Sequence, residues 1–190
     1  MLVENNFYMK KIITIFLAIF FISTPSNSNE NEIKLNNLFE KLKIQNHSIA
    51  IDTEMKIWDI WTKHPSNQNL TSLLSRGTKF MNQEQYSVAV DIFTTVIKKD
   101  PAWAEAWNKR ATVFYLMGKY QDSQNDIDKV LKLEKRHFGA LSGQGLVQIK
   151  LKNYEKALKS YEKVKEIYPS MRSPQIMIPQ IKELIKNQSV

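Results

Sequence analysis

The 190 residues contain no cysteine. That excludes a disulfide, a thiol nucleophile, a thiolate zinc site, an iron–sulfur cluster and a lipid-modified N-terminal cysteine. Glycine and proline are scarce, with 5 and 6 copies, and 43% hydrophobic with 24% charged residues suits a folded body instead of bulk disorder. Three histidines, His47, His64 and His137, stand far apart without the spacing of converging metal ligands, so no metal is expected. There is no Gly-x-Ser-x-Gly elbow and no phosphate-cradling glycine loop. The acidic pairs Asp126/Asp128 and Glu32/Glu40 fall on expected helix surfaces, where carboxylates are solvated. No catalytic constellation and no cofactor are expected, so the chain does not read as an enzyme.

No apolar run is long enough for a comfortable membrane span, which needs ~20 residues. The longest, Ile12–Ile22, follows Lys10 and Lys11 and precedes small polar residues. This is the form of a secretory signal peptide, with residues 1–28 removed and a mature chain from Asn29. Met9 reads as an alternative start, and a retained leader would act as an anchor. The expected compartment is therefore the periplasm. Formal charge is +8, from 27 basic and 19 acidic residues. Taking away Lys10, Lys11 and Glu4 leaves 25 − 18 = +7. Lysines are spread over many segments without a basic tract, so a solvated cationic surface is expected, and no nucleic-acid partner.

What is present is a period. Tyr86, Tyr120 and Tyr154 are each 34 residues apart. The same step relates Gly77, Ala111 and Gly145, then Ala89, Ser123 and Ala157, then Phe93, Ile127 and Tyr161, then Val96, Val130 and Val164. Units of this size bury their apolar faces only by stacking on one another. The small residues Gly77 and Ala89 belong where two helices of a hairpin cross, and Asp100-Pro101 closes the first unit. Three units follow, 70–103, 104–137 and 138–171. Before them, helical patterns over 30–45 and 48–63, the latter with Ile51, Met55, Trp58 and Ile60 or Trp61 on one face, form an expected N-terminal capping pair. Residues 29–69 hold this pair and its linker, whose turn-rich stretch is 64–69. Residues 172–190 supply a C-terminal capping helix with Ile178, Ile181, Leu184 and Ile185 as its stripe, starting late or kinking at Pro179.

The sequence Trp-x2-Leu-Gly-x2-Tyr, then Ala-x3-Phe, then Pro is the pattern of the tetratricopeptide repeat, and residues 70–171 resemble that family over three consecutive units. Arg76 and Arg110 stand where the pattern has leucine, Gln148 replaces an aromatic, and Lys135 replaces the closing proline. Residues 104–112 and 136–141, with Trp58 and Trp61 before them, are similar to exported alphaproteobacterial proteins of the same kind. The resemblance implies an all-α, short right-handed superhelix of stacked antiparallel hairpins. It also implies that first helices line a concave groove, presenting Leu74, Thr78 and Met81, then Asn108, Lys109, Thr112 and Tyr115, then Ser142, Leu146 and Ile149. Such a groove would hold a peptide or a partner protein of the cell envelope. Family members that grip a terminal carboxylate use lysine and asparagine where this chain has Leu74 and Thr78, so that grip is not expected. Arg76 and Arg110 are expected to lie along the hairpin seam and meet a carboxylate. The favoured function is an exported adaptor. The alternatives are a cationic binder of polyanions or anionic membrane surfaces, and a self-assembling structural subunit.

Overall fold

The structure, a computed structural model, describes residues 27–44 and 46–188; most of the expected signal segment lies outside them. Among the described residues there are nine helices and no strand: α1 (Asn27–Leu42), α2 (His47–Trp61), α3 (Gln68–Asn82), α4 (Tyr86–Lys99), α5 (Ala104–Leu116), α6 (Tyr120–Leu133), α7 (Phe138–Lys150), α8 (Tyr154–Ile167) and α9 (Arg172–Gln188). None is long and apolar enough to cross a membrane.

Helices α3/α4, α5/α6 and α7/α8 are antiparallel hairpins, and α3, α5 and α7 adjoin one another along one side of the stack. The helix crossings follow one size rule. A Cβ on Gly77 would stand 2.5 Å from Phe93 Cε1, and one on Gly145 closer still to the Tyr161 ring. In the middle hairpin the partner shrinks to Ile127, and there Ala111 is accommodated in the same core cluster. The small residue on the first helix thus answers the bulk on the second, because close-packed interiors leave no slack of a methyl group.

The turns inside the hairpins share a second feature. Glu84, Gly118 and Lys152, again 34 apart, adopt φ of 58°, 73° and 60°. The backbone N–H groups around them close the preceding helix onto carbonyls such as Met81, Tyr115 and Ile149. Only the middle turn uses the residue that takes a left-handed conformation without strain.

Two expectations need correction. Helix α9 runs through Pro179 instead of starting there. Pro179 and Gln175 are both exposed, so water can take the carbonyl that loses its intrahelical donor. The second correction concerns α1 and α2, which do not cover the free end of the first hairpin. Leu35, Phe39 and Leu42 of α1 and Ala50, Ile57 and Trp61 of α2 form one core with Phe138 and Leu141 of α7, and with Val164 and Tyr168 at the end of α8. The buried stripe of α2 is therefore Ala50, Thr53, Ile57 and Trp61, while Ile51 and Met55 are exposed. The reason lies in the partners available. The start of α7 offers Phe138 and the bare backbone of Gly139, whose added Cβ would meet Trp58 Cη2 at 2.7 Å. In α3, Leu70, Leu74 and Gly77 are already committed to its own hairpin or the next helix.

Candidate functional site: a trough between the second helix and the repeats

Helix α2 and the turn after it strap all three hairpins. Midway along the helix, Glu54 Oε2 accepts from the Tyr168 phenol, which closes the third hairpin, at 3.0 Å. Burial first, and then the charge of Glu54, pushes that phenol up to about 12, so it stays a donor. In the last turn of α2, Trp58 and Trp61 meet the start of α7. Trp61 stacks on His137 at 4.0 Å and 7°, and Trp58 meets Phe138 edge-on at 5.4 Å. At the far end, the Trp61 carbonyl accepts from Trp103 Nε1 at 2.9 Å, at the start of the second hairpin. Beyond the helix, His64 Nε2 pairs with Asp100 Oδ2 at 2.7 Å, where the first hairpin ends.

His137 shows how the strap joins the electrostatics of the array. Its Nδ1 accepts from the Ala140 N–H at 3.1 Å, capping α7. The ring hydrogen therefore sits on Nε2 and points to Glu105 Oε2 at 3.1 Å. Asn108 donates to the same oxygen at 3.0 Å, and Lys109 Nζ stands 3.1 Å from Oε1. Glu105 and His137 are both fully buried. Burial alone would push the Glu105 carboxyl up; its bonds to His137 and Lys109 outweigh that and hold it below the usual carboxylate range. Lys109 also lies 5.8 Å over the Trp58 ring.

Two hollows open along the first helices. One, of about 220 Å³, is lined by Asn108, Thr112, Tyr115, Ser142 and Leu146 with Gly139 among its remaining walls. The other, of about 320 Å³, lies between Thr62 and Lys63 of the strap and Leu74, Thr78 and Lys109. Eight of the ten groove residues read from the sequence therefore gather in these two hollows. Met81 and Ile149 do not: Met81 packs against the first core and Ile149 against the last. Leu74 is only 2% exposed and contributes an edge. Lys109 and Asn108 are engaged by Glu105, so they serve the buried network before any guest.

The wall contributed by α2 escaped sequence reasoning. At helical spacing, Ile51, Met55, Trp58 and Thr62 fall on one stripe, and its Trp58 and Thr62 face the repeats. Met55 is 59% exposed, Ile51 43%, and Leu146 on α7 37%. The available signal was the Trp58/Trp61 pair, too large to be left beside a polar helix. Elsewhere Arg110 binds Asp126 in two places, Nε to Oδ2 at 2.7 Å and Nη2 to Oδ1 at 2.8 Å. Asp126 is thus buried and paired, not solvated as its position suggested. Arg76 is exposed and lies 5.8 Å over the Phe80 ring. Among the described residues no three His, Asp or Glu side chains gather as a metal site.

Comparison with known proteins agrees with this architecture. The tetratricopeptide repeat family profile matches residues 108–172. A TPR repeat-containing protein of Rhizobium etli is 31% identical over 160 residues, spanning 82% of this chain and 76% of its own. The chain belongs to the tetratricopeptide repeat family. Human RNA polymerase II-associated protein 3 is 27% identical over 107 residues, 56% of this chain but only 16% of that longer protein. Among solved structures, the first repeat domain of Spaghetti (RPAP3), bound to an HSP90 peptide, superposes with a TM-score of 0.61 at 24% identity, covering 63% of this chain and 94% of that one. The MamA crystal structure gives 0.59 at 19% identity, with 84% of each chain covered. Both likenesses concern the fold.

Proposed function

We propose that this tetratricopeptide repeat protein is an adaptor that grips an apolar segment of a partner protein in the trough between α2 and the inner faces of α5 and α7. The observation that carries the reading is that exposed apolar groups stand on both α2 and α7. Ile51 and Met55 are exposed on α2 and Leu146 on α7, where Leu146 shares a hollow with the hydroxyl and phenol groups of Thr112, Ser142 and Tyr115. An amphipathic guest would bury these side chains and meet the polar groups with its edges. A protein similar to half of this chain, Hsp70-Hsp90 organizing protein 2 of Arabidopsis thaliana, is named for organizing two other proteins, which supports an adaptor role. The place of action proposed is the cell envelope, supported by Lys10, Lys11 and the apolar run 12–22.

The test is affinity purification from an envelope fraction with Tyr115→Ala combined with Leu146→Asp, and separately with Met55→Asp. Lys109 is left alone, because a carboxylate there would face buried Glu105. Both variants should keep their helical circular dichroism and lose the partner. Retention of the same partner by both would remove the trough from consideration. Capture that fades steeply with salt, and is indifferent to these changes, would favour the polyanion reading.

A further inference from the structure

The third unit departs from the second in one place that the trough does not use. Gln144 occupies the position of Arg110 one unit earlier, and Ser160 that of Asp126. In the second unit the Arg110 guanidinium fills the valley between successive second helices, holding Asp126 and also donating to Thr94 Oγ1 at 3.0 Å. In the third unit the smaller pair fills less of it: Ser160 Oγ donates to the Lys156 carbonyl and lies 2.9 Å from the Gln144 carboxamide. A hollow of about 600 Å³ opens there between α6, α7 and α8.

Its floor is a ladder of carboxamides. Asn153 Nδ2 donates to Gln148 Oε1 at 2.9 Å, Gln148 Nε2 to Gln124 Oε1 at 2.7 Å, and Gln124 Nε2 to Asp128 Oδ1 at 2.8 Å. Gln148 and Gln124 are buried, at 5% and 8% exposure. The ladder stops short of two groups on the wall of the hollow. Gln144 and Asn153 each use only one end of the side-chain amide among the described residues, leaving one polar group of each open to the hollow. The rim carries Lys156, Lys159 and Lys163 of α8. Lys163 pairs with Glu166, while Lys156 and Lys159 have no carboxylate within ion-pair distance among the described residues. The matching positions of the second unit are Asp122 and Asn125, so the cationic rim belongs to the third valley.

We infer that this valley is a second binding site, for a short extended acidic segment of a partner protein. Carboxamides with a polar group left open suit a peptide backbone, which presents a donor and an acceptor at each residue. Lys156 to Lys163 spans seven residues of helix, about 10 Å at 1.5 Å per residue. That length takes about three residues of extended chain at ~3.3 Å each, so acidic side chains at alternate positions fall on the lysine side. The chemistry differs from that of the trough, where the walls are apolar and the cations already engaged. One partner could therefore be held on both faces of the array, or two partners on opposite faces.

The probe is a fluorescein-labelled octapeptide of alternating glutamate and serine, titrated into the whole chain and followed by anisotropy. Saturable one-to-one binding is expected. The decisive variant is Gln144→Arg with Ser160→Asp, which rebuilds the second-unit pair inside the hollow and leaves net charge unchanged. It should weaken binding at least about tenfold, since a group of that size displaces the guest. Lys156→Glu with Lys159→Glu should do the same at the exposed rim, where folding is not at risk. Lys98→Glu with Lys99→Glu on α4 should change nothing. Equal loss from the α4 variant, or full affinity in the refilled valley, would overturn the site in favour of unspecific charge attraction. Binding of a sulfated oligosaccharide in place of the peptide would overturn the ligand class.

Discussion

The Trp61 indole lies flat on the His137 imidazole, centroids 4.0 Å apart and planes 7° from parallel. One residue ends the second helix and the other starts the seventh, 76 positions later in the chain. This contact makes the N-terminal pair part of the repeat core instead of a lid on its first unit.

Trp61→Ala should remove the docking surface at a cost of about 3–5 kcal/mol, the usual range for a buried tryptophan. Hydrogen exchange would then show α1 and α2 losing protection while α5 to α8 keep theirs. Loss of protection throughout, in one step, would mean that the strap and the repeats fold as a single unit.

The size rule at the crossings can be tested by exchange between units. Gly145→Ala should destabilise by about 1–3 kcal/mol, because the methyl group runs into the Tyr161 ring. Added to Tyr161→Ile, the same change should cost almost nothing, since that pair copies Ala111 with Ile127. A urea-denaturation cycle of the four variants measures the coupling. Additive effects would refute the rule.

Glu84 and Lys152 adopt a left-handed backbone that costs a side-chain-bearing residue about 1–2 kcal/mol. Glu84→Gly and Lys152→Gly should each raise stability, and Gly118→Ala should lower it. Thermal midpoints decide. If either glycine variant melts earlier, the cost of the turn has been misplaced.

Acid should loosen the strap through Glu105. Its folded-state carboxyl is held below the ordinary range, so the stability it contributes is present above that range and is lost as pH falls through the folded value. Stability measured from neutral pH downward should therefore decline more steeply in the wild type than in Glu105→Gln, although the variant starts lower. Parallel slopes would show that Glu105 contributes nothing to the pH dependence.

Much of the fold was legible because the repeat signature is local. Tyr86, Tyr120 and Tyr154 each begin the second helix of a hairpin, and the glycine and alanine positions at the crossings could be read from chemistry alone. The groove positions Asn108, Thr112, Tyr115, Ser142 and Leu146 do share a hollow, since helical spacing places them on one face. Met81 and Ile149 went astray because their stripe borders the core, and periodicity cannot tell a groove edge from a core edge. Asp126 looked solvated because its partner, Arg110, sits on another helix 16 residues away.

By itself the sequence determined the α-helical hairpins, their number and their stacking, because a 34-residue period of apolar and small residues has one way to bury itself. Tertiary structure alone decided where α1 and α2 go. Their apolar faces could have met any helix of the array, and the choice fell to shape: Trp58 and Trp61 required a bare backbone and an aromatic floor, which Gly139, His137 and Phe138 provide. That long-range fit, between residues with no periodic relation, shapes the trough.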